Sequence, residues 1–340
     1  TNNTNPRFVR GPRLTTRVTP GVRARAAAPT PRPGGRRPFT FARVLRAAAP
    51  YLLILPVVVV IAAILGYPLY HLARLSFQKY GLFELIARHG TDVGWANYSS
   101  VLHDHVFWDV LVRTIVFTVA NVALTMGVGT LIALLLTKVS SIVRVLLTAG
   151  LVLAWAMPPV VAVQVWLWMT NTENGLVNYT LTKLHVGDYF QHDWYATSFS
   201  QLSLTTSLIV WGAIPFIVVT VYAGLSQVPH ELVEAAEIDG ARAWRVFKDV
   251  TVPIIKPIFL VLTSLSIIWD FGVFTQPFLL IDQTRINTTN ELMGIYLYEE
   301  GYVKTDFGRG AAISILMLLI VAVLSVFYVR KMVRTSHEAT

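Results

Sequence analysis

Residues 234–257 read EAAEIDGARAWRVFKDVTVPIIKP and form a charged segment between two long apolar runs. The segment opens with Glu-Ala-Ala, continues with Asp-Gly-Ala at 239–241, and closes with a Val-x-Val-Pro pattern that ends at Pro253. Apolar runs of this length are typical of membrane-spanning helices. The charged segment is therefore expected to connect two spans at a membrane surface.

The same segment predicts two short helices that meet at Gly240, and we call residues 231–250 the elbow. Acidic residues crowd the start of the first helix, residues 231–238, where they complement the helix dipole. Gly240 allows the left-handed backbone that commonly ends a helix. In the second helix, residues 241–250, Trp244 and Phe247 are three positions apart and share one face. Acids at one end and aromatic rings at the other suit a surface that docks into a partner.

The composition indicates one polytopic all-α membrane domain over residues 45–335. The chain has 340 residues, of which 54% are hydrophobic and 14% charged, whereas soluble proteins carry about 25% charged residues. Uncharged blocks at 47–70, 114–137 and 145–172 each exceed the roughly 20 residues that a helix needs to cross a bilayer. The absence of cysteine from the sequence excludes disulfides, thiolate metal sites and cysteine nucleophiles.

The positive charge of the chain belongs to its N-terminal tail. Residues 1–46 hold eleven Arg and no acid, and the remaining 17 basic and 19 acidic residues leave the rest slightly acidic. Residues 1–44, rich in Arg, Pro and Gly, are predicted to be disordered. The tail has no interleaved aromatic pairs to stack on bases. Attraction to anionic lipid and a role in setting the membrane topology are therefore favoured over nucleic-acid binding.

Six spans are predicted, at 48–70, 112–136, 145–170, 204–226, 258–280 and 310–329. Pro158-Pro159 is expected to kink or unwind the third. Basic residues near the helix ends predict that the tail, the 137–144 turn, the loop of residues 227–257 and the C-terminus are cytoplasmic. The connections at 71–111, 171–203 and 281–308 then lie outside, where Trp, Tyr, His and Asn are frequent.

The charged segment resembles the EAA loop of ATP-binding-cassette import permeases, in which a short cytoplasmic helix docks into a partner ATPase. The usual Ile and Leu are replaced by Val250 and Val252. The residues that match the loop, and to which the resemblance assigns ATPase coupling, are Glu234, Ala235, Ala236, Asp239, Gly240, Ala241, Trp244, Phe247 and Pro253.

Two further stretches are similar to the carbohydrate, or maltose- and glycerol-phosphate-type, permeases of that family. Residues 94–98, GWANY, look like the start of their second helix, and residues 307–314, FGRGAAIS, like the start of their last. Arg113 stands where Asn is usual before Thr, and residues 280–287 lack the Leu-Thr-x-Gly-Gly-Pro of that group. Any solute preference of that loop is therefore not carried over.

The resemblance implies a type I importer permease fold and a non-catalytic subunit in the bacterial cytoplasmic membrane. Implied partners are a second permease subunit in a heterodimeric pore, two ATPase subunits and an extracytoplasmic binding protein. ATP and Mg would be bound by the ATPase, because this chain has no phosphate-binding loop and needs no cofactor. The implied solute is a mono- or oligosaccharide.

Asp270 is the one acid deep inside a predicted span, and such residues usually face an interior or a water-filled path. Its neighbours Trp269 and Phe271, together with Trp211, make a candidate solute path, because carboxylates accept sugar hydroxyls and rings cover the apolar sugar face. A structural hydrogen bond between helices is an equal alternative. His103 and His105 are too few ligands to predict a metal site.

Three other functions remain open. The same architecture could import glycerol phosphate, a polyamine or an amino acid, although no Lys or Arg lies in the interior of the predicted spans to favour an anion. A secondary transporter should show inverted repeats or several buried charges. An integral-membrane enzyme would need paired acids or a metal cluster, and the sequence shows neither.

Overall fold

The computed structural model describes the backbone of residues 41–281 and 287–338 and the side chains of residues 51–281 and 287–331. The chain divides into two compact units, Thr1–Val60 and Ile61–Thr340. In the first unit the described part is helical, and the prediction of disorder over residues 1–44 lies almost entirely outside the described residues.

The described residues are mainly α-helical, with one two-stranded antiparallel sheet, β1 (Gln78–Lys79) and β2 (Thr91–Asp92), in which Gln78 pairs with Asp92. The helices are α1 (Phe41–Ile61), α2 (Tyr67–Leu75), α3 (Leu82–Ala87), α4 (Ala96–Leu102), α5 (His105–Lys138), α6 (Ser141–Trp155), α7 (Pro159–Met169), α8 (Leu176–Lys183), α9 (Ser198–Leu225), α10 (His230–Ile238), α11 (Ala243–Val246), α12 (Val252–Phe271), α13 (Thr275–Leu280), α14 (Met293–Tyr298) and α15 (Phe307–Glu338). Single π-helical turns occupy Ala62–Gly66, Phe247–Thr251 and Glu299–Val303.

Among the described residues, five helical segments are long and apolar enough to cross a membrane: Tyr51–Leu75, His105–Lys138, Ser198–Leu225, Ala243–Phe271 and Phe307–Lys331. A sixth span forms if α6 and α7, which bend by 98° between Trp155 and Pro159, count as one. The break expected at Pro158-Pro159 is therefore confirmed, because α7 starts at Pro159, where a missing N–H needs no partner.

The fifth span begins earlier than predicted, within the charged segment. It runs from Ala243 to Phe271, whereas the prediction was 258–280. Pro253 does not break it, because Pro253 stands in the first turn of α12, behind the π turn at Phe247–Thr251. The helix ends at Gly272, and residues 275–280 form the separate α13.

Residues 287–303 form a packed element rather than an open connection, which corrects the prediction of a loop over 281–308. Leu292 and Met293 are completely buried, and Met293 joins Phe107, Val110 and Phe271 in one core cluster. A backbone hydrogen bond ties the element to α5, because the Met293 N–H donates to Thr114 Oγ1 over 2.9 Å. The apolar run at 292–297 is too short to register as a span, which is why the pattern indicated a loop.

The two motifs at 94–98 and 307–314 meet in the structure. The Asn97 amide donates to the carbonyls of Ser76 and Gln78 over 2.9 and 2.8 Å, and the Gly308 N–H donates to the carbonyl of Tyr80 over 3.1 Å. Tyr98 shares a buried 2.7 Å hydrogen bond with Ser76. The segment around β1 is therefore the shared partner of both motifs.

The long helix α5 is the centre of the helix packing. Its buried face packs mainly against α9 and also against α12. At one level Ala133 and Leu136 pack with Ile217 and Leu262. Gly129 lies under Ile217, where a Cβ would come within 2.7 Å of that side chain, so a small residue is needed for the two helices to approach.

Replacing Gly308 by Ala should destabilise the protein by about 1–3 kcal/mol, since the new methyl group would overlap the Gln78 carbonyl oxygen, a rigid backbone atom. Gly127→Ala is the matched control, because nothing lies near its Cβ position and Ala favours a helix. Thermal unfolding of the purified subunit in detergent measures both. Equal melting temperatures for the two variants would contradict the packing described for Gly308.

Because Glu291 is buried, we expect the free energy of unfolding to fall as the pH rises. Burial, and secondarily the charge of Glu299, raises the pKa of Glu291 from 4.5 to about 7. Folding then favours the protonated acid, so stability is greatest below pH 4.5 and is lost through pH 7, by at most about 3 kcal/mol. Glu291→Gln should remove this slope, and the exposed Glu173→Gln should keep it, in melting curves between pH 5 and 8. A slope that survives in Glu291→Gln would contradict this assignment.

Candidate functional site

The elbow begins with α10, which starts at His230 directly behind Pro229 and ends at Ile238. Gly240 has φ +80°, a backbone conformation that glycine adopts without strain. The Gly240 N–H donates to Glu237 O and the Ala241 N–H to Ala236 O, both over 3.0 Å. Gly240 thus ends the first helix in the left-handed conformation that the sequence indicated.

The second helix of the elbow begins two residues later than predicted and does not end at 250. Arg242 is extended, with φ −73° and ψ 159°, and its carbonyl accepts the N–H groups of Arg245 and Val246. From Ala243 the helix continues without a break to Phe271. The elbow and the fifth span therefore share one helix, and Pro253 lies within it.

The elbow presents large apolar side chains to the surroundings. The exposed fractions of Leu232, Ile238 and Trp244 are 49%, 86% and 72%. The rings of Trp244 and Phe247 lie 5.8 Å apart, as their spacing predicted, whereas Val246 between them is buried. Exposed large apolar side chains of this kind are typical of surfaces that contact a partner or a membrane.

The elbow also exposes acidic and small residues. Ala235 is exposed and Ala236 half-buried, and the carboxyl groups of Glu234, Glu237 and Asp239 are exposed. Small residues on α10 allow another protein to approach its backbone closely. The elbow thus exposes apolar, acidic and small side chains within one short segment.

A cavity of about 600 Å³ lies at the C-terminal end of α12, away from the elbow. It is lined by α6, α7, α9, α12 and residues 272–276. Its volume falls in the range of about 300–1,000 Å³ that is usual for small-molecule sites. The lining residues that carry rings or polar groups are Trp155, Trp211, Phe216, Trp269, Asp270, Phe274, Thr275 and Gln276.

Aromatic rings form one wall of this cavity. Phe216 stacks on Trp155 at 6.3 Å and meets the ring of Trp269 edge-on at 5.6 Å. Trp155 and Trp269 are 55% and 53% exposed, so their faces are accessible from the open side. Trp211, partly buried against α7 and α13 residues, completes the aromatic lining.

Asp270 is the only charged side chain among the described residues that line this cavity. It is 7% exposed, and its neighbours on α12 diverge: Trp269 is half-exposed, whereas Phe271 is buried in the core with Val110. The structure therefore brings Asp270, Trp269 and Trp211 together around the cavity and places Phe271 elsewhere.

Sequence reasoning missed several residues of the cavity. Trp155 lies just before the Pro158-Pro159 break, and the tendency of broken helices to border cavities could have found it. Thr275 and Gln276 were hidden because residues 272–276 were assigned to the interior of a regular span. No metal-binding group of three or more His, Cys, Asp or Glu occurs among the described residues.

The chain belongs to a known transport family. Residues 125–333 match the family described as binding-protein-dependent transport system inner membrane component. This match includes the elbow, α12 and most of α15.

Relatives match over most of their length. The chain is 40% identical to the diacetylchitobiose uptake system permease protein DasB of Streptomyces coelicolor, over 86% of this chain and 89% of that protein. It is 30% identical to the inner membrane ABC transporter permease protein YcjO of Escherichia coli, over 79% and 89%. The trehalose/maltose transport system permease protein MalF of Thermococcus litoralis is 30% identical, over 82% and 92%.

Solved structures with the same fold include a chain of a bacterial ABC transporter involved in the import of the acidic polysaccharide alginate. The TM-score is 0.71 at 17% identity, over 86% of this chain and 98% of that one. A chain of a bacterial alginate ABC transporter in complex with an alginate pentasaccharide-bound periplasmic protein gives a TM-score of 0.70 at 17% identity. The fold is therefore that of a type I importer permease.

These findings define the class of the protein. The chain is a non-catalytic permease subunit of an ABC importer and a multi-pass protein of a bacterial membrane. It works with a binding protein and with other subunits of its transport system.

Proposed function

We propose that this subunit forms half of the pore of an ATP-driven importer of short oligosaccharides. The observation that carries the proposal is the cavity in which the buried Asp270 stands among Trp211, Phe216 and Trp269. A carboxylate accepts hydrogen bonds from sugar hydroxyls, and aromatic faces cover the apolar face of a sugar ring. Both groups converge on a space of suitable volume.

The names of the relatives support a carbohydrate. They refer to diacetylchitobiose, to arabinooligosaccharides and to trehalose and maltose. A relative named for sulfoquinovosyl glycerol, 27% identical, raises the alternative of an anionic solute. The cavity argues against an anion, because its charged group among the described lining residues is the carboxylate of Asp270.

The open side of the cavity supports a heterodimeric pore. Trp155 and Trp269 remain half-exposed in the single chain, whereas a small-molecule site usually encloses most of its ligand's surface. A second permease subunit would close this side, and a solute-binding protein would deliver the sugar from outside the cell. Two ATPase subunits would bind the ATP and Mg, so this chain would hold no cofactor.

The elbow is proposed to dock into a cleft of the ATPase. Trp244 and Ile238 would enter the cleft, and Glu234 would pair with a basic residue at its rim. This role places the elbow, the Arg-rich tail and the C-terminus in the cytoplasm, in agreement with the distribution of basic residues.

The continuous helix from Ala243 to Phe271 supplies the physical link between the two sites. Its 29 residues span about 40 Å at 1.5 Å per residue. Because Trp244 and Asp270 stand on this one helix, tilting it at the elbow moves the wall of the cavity. Closure of the ATPase dimer would thereby bias the bundle between its inward-open and outward-open states.

Removing the carboxylate should impair sugar transport without preventing assembly. We expect Asp270→Asn to lower the ratio kcat/KM for uptake by about tenfold or more, the effect of losing one charged hydrogen bond. Uptake is measured in liposomes that contain the whole complex, first with N,N′-diacetylchitobiose and then with maltose, trehalose and an arabinooligosaccharide.

The exposed Asp109→Asn, on α5, is the control and should transport normally. If Asp270→Asn also transports normally, the carboxylate does not contact the solute. Loss of assembly together with transport would indicate the structural hydrogen bond instead.

Altering the elbow should uncouple ATP hydrolysis from transport. Gly240→Val requires a β-branched residue at φ +80°, which is strongly disfavoured, and Glu234→Lys reverses the charge of an exposed carboxyl. Both variants should insert and pair with the second permease, yet the ATPase should bind weakly or turn over without responding to sugar.

Gly240→Asn is the matched control, since Asn tolerates the left-handed conformation and should retain more transport than Gly240→Val. Co-purification of the ATPase and sugar-stimulated hydrolysis measure the effect. Full coupling in both Gly240→Val and Glu234→Lys would exclude the elbow as the coupling element.

A further inference from the structure

Arg309, near the start of α15, is the centre of a charged network that the transport role does not use. Its Nη1 donates to Ser100 Oγ over 2.7 Å, and its Nη2 donates to Asp104 Oδ2 and, over 3.2 Å, to Tyr296 Oη. Its Nε lies 2.9 Å from Glu300 Oε2, although this N–H is not aimed along that line. One guanidinium thus joins α4, α5, α14 and the π turn after α14.

The network is largely removed from solvent. The side chains of Arg309 and Asp104 are 17% and 22% exposed, and that of Glu300 is 6% exposed. Lys304 adds a second cation, with its Nζ 2.6 Å from Glu300 Oε1. Two acids and two bases balance the charge, and removing one partner would leave a carboxylate buried without compensation.

The network is not built as a switch near neutral pH. Burial of Asp104 opposes its ionisation, but hydrogen bonds from the Val106 N–H and Arg309 outweigh it and keep the pKa of Asp104 below its usual value. Burial raises the pKa of Tyr296 to about 12. Asp104 and Tyr296 therefore keep their protonation states across physiological pH, and the contacts of Arg309 with both residues persist over this range.

The helix α14, which Arg309 contacts through Tyr296, packs against the wall of the cavity. Gly294 of α14 lies so close to the backbone of Val273 that a Cβ would come within 2.7 Å of the Val273 carbonyl oxygen. The ring of Tyr298 lies 5.5 Å from that of Phe274. Val273 and Phe274 line the cavity beside Asp270.

We propose that Arg309 is a positioning residue for solute binding: by fastening Tyr296 and Glu300 to Asp104, it holds α14 against residues 272–276, which carry part of the cavity wall. The proposal rests on the proposed function in so far as the cavity is the solute site. Arg309 does not line the cavity, so its effect is transmitted through α14.

The absence of natural cysteine allows a reporter that needs no solute. Gln276→Cys places a thiol on the cavity wall, and Glu173→Cys places one in an exposed connection away from α14. Each reporter is combined with Arg309→Gln, with Arg309→Lys, or with Arg88→Gln, an exposed arginine with no ion pair among the described side chains. The rate of N-ethylmaleimide labelling is measured on the assembled complex.

Arg309→Gln should accelerate labelling of the Gln276→Cys reporter by about tenfold, the factor that one lost charged hydrogen bond represents, and leave the Glu173→Cys reporter unchanged. Arg309→Lys, which keeps the charge but not the fork of donors, should restore part of the protection. Arg88→Gln should change neither rate. If labelling accelerates equally at both reporters, Arg309 stabilises the whole fold and not the cavity wall in particular. If the rate at Gln276→Cys is unchanged, Arg309 does not hold the cavity wall. Either result overturns the proposal.

Uptake of N,N′-diacetylchitobiose by the same complexes, without reporters, gives the functional readout. Arg309→Gln should raise KM several-fold while the maximal rate is largely kept, because assembly and the elbow are untouched. A fall in the maximal rate with KM unchanged would overturn the positioning role. If the parent complex transports none of the sugars, the proposed function fails, whereas the labelling result still decides whether Arg309 holds the wall.

Discussion

The structure depends on one constraint, which is that a backbone N–H or C=O group in hydrocarbon must be paired within the protein. Regular helices satisfy this constraint along α5, α9 and α15. Two places where the helices are interrupted border the cavity. The break after α6 places Met157 and Pro159 on the cavity wall, and the break after α12 places residues 272–276 there. Interruptions that would be costly in lipid therefore form part of the cavity wall.

The packed element at 287–303 follows from the same constraint. Its backbone is paired with polar groups from α5: Arg113 donates to the carbonyls of Glu291 and Thr288 over 2.8 and 2.7 Å, and Thr114 accepts the Met293 N–H. Arg113 stands where Asn is usual in similar permeases, and its longer side chain reaches two carbonyls at once. The substitution that departed from the family pattern is thus explained by a contact that this chain makes.

The sequence predicted the features that local chemistry determines. The length of the apolar runs indicated the spans, Pro158-Pro159 indicated the break, and Gly240 indicated the left-handed end of α10. The sequence did not reveal the start of the fifth span at Ala243, because Pro253 and the charges before it resemble a helix boundary. It also could not show that Phe271 faces the core while Asp270 lines the cavity, since both stand in an apolar helix whose orientation is set by packing against α5 and α15. The cavity residues Thr275 and Gln276 depend on the break at Gly272. Gly272 and the following Pro277 could have indicated this break, but the unbroken apolar run to residue 280 favoured one continuous span.

The two ends of the fifth span differ in how tightly they pack against the rest of the protein. Such a difference suits a helix that transmits motion. At the elbow, the described side chains are mostly exposed, and the pair Arg245–Asp249, 3.7 Å apart and more than half exposed, contributes little. At the cavity end, Phe271 is buried with Val110 and Met293, and Gly294 presses on the residues that follow. In the mechanism proposed above, a helix held firmly at the cavity and loosely at the elbow would turn about its held end when the ATPase pulls on the elbow. The bistable part of the subunit would then be the angle of this helix, and the contacts at the cavity end would determine how far the wall beside Asp270 moves with it.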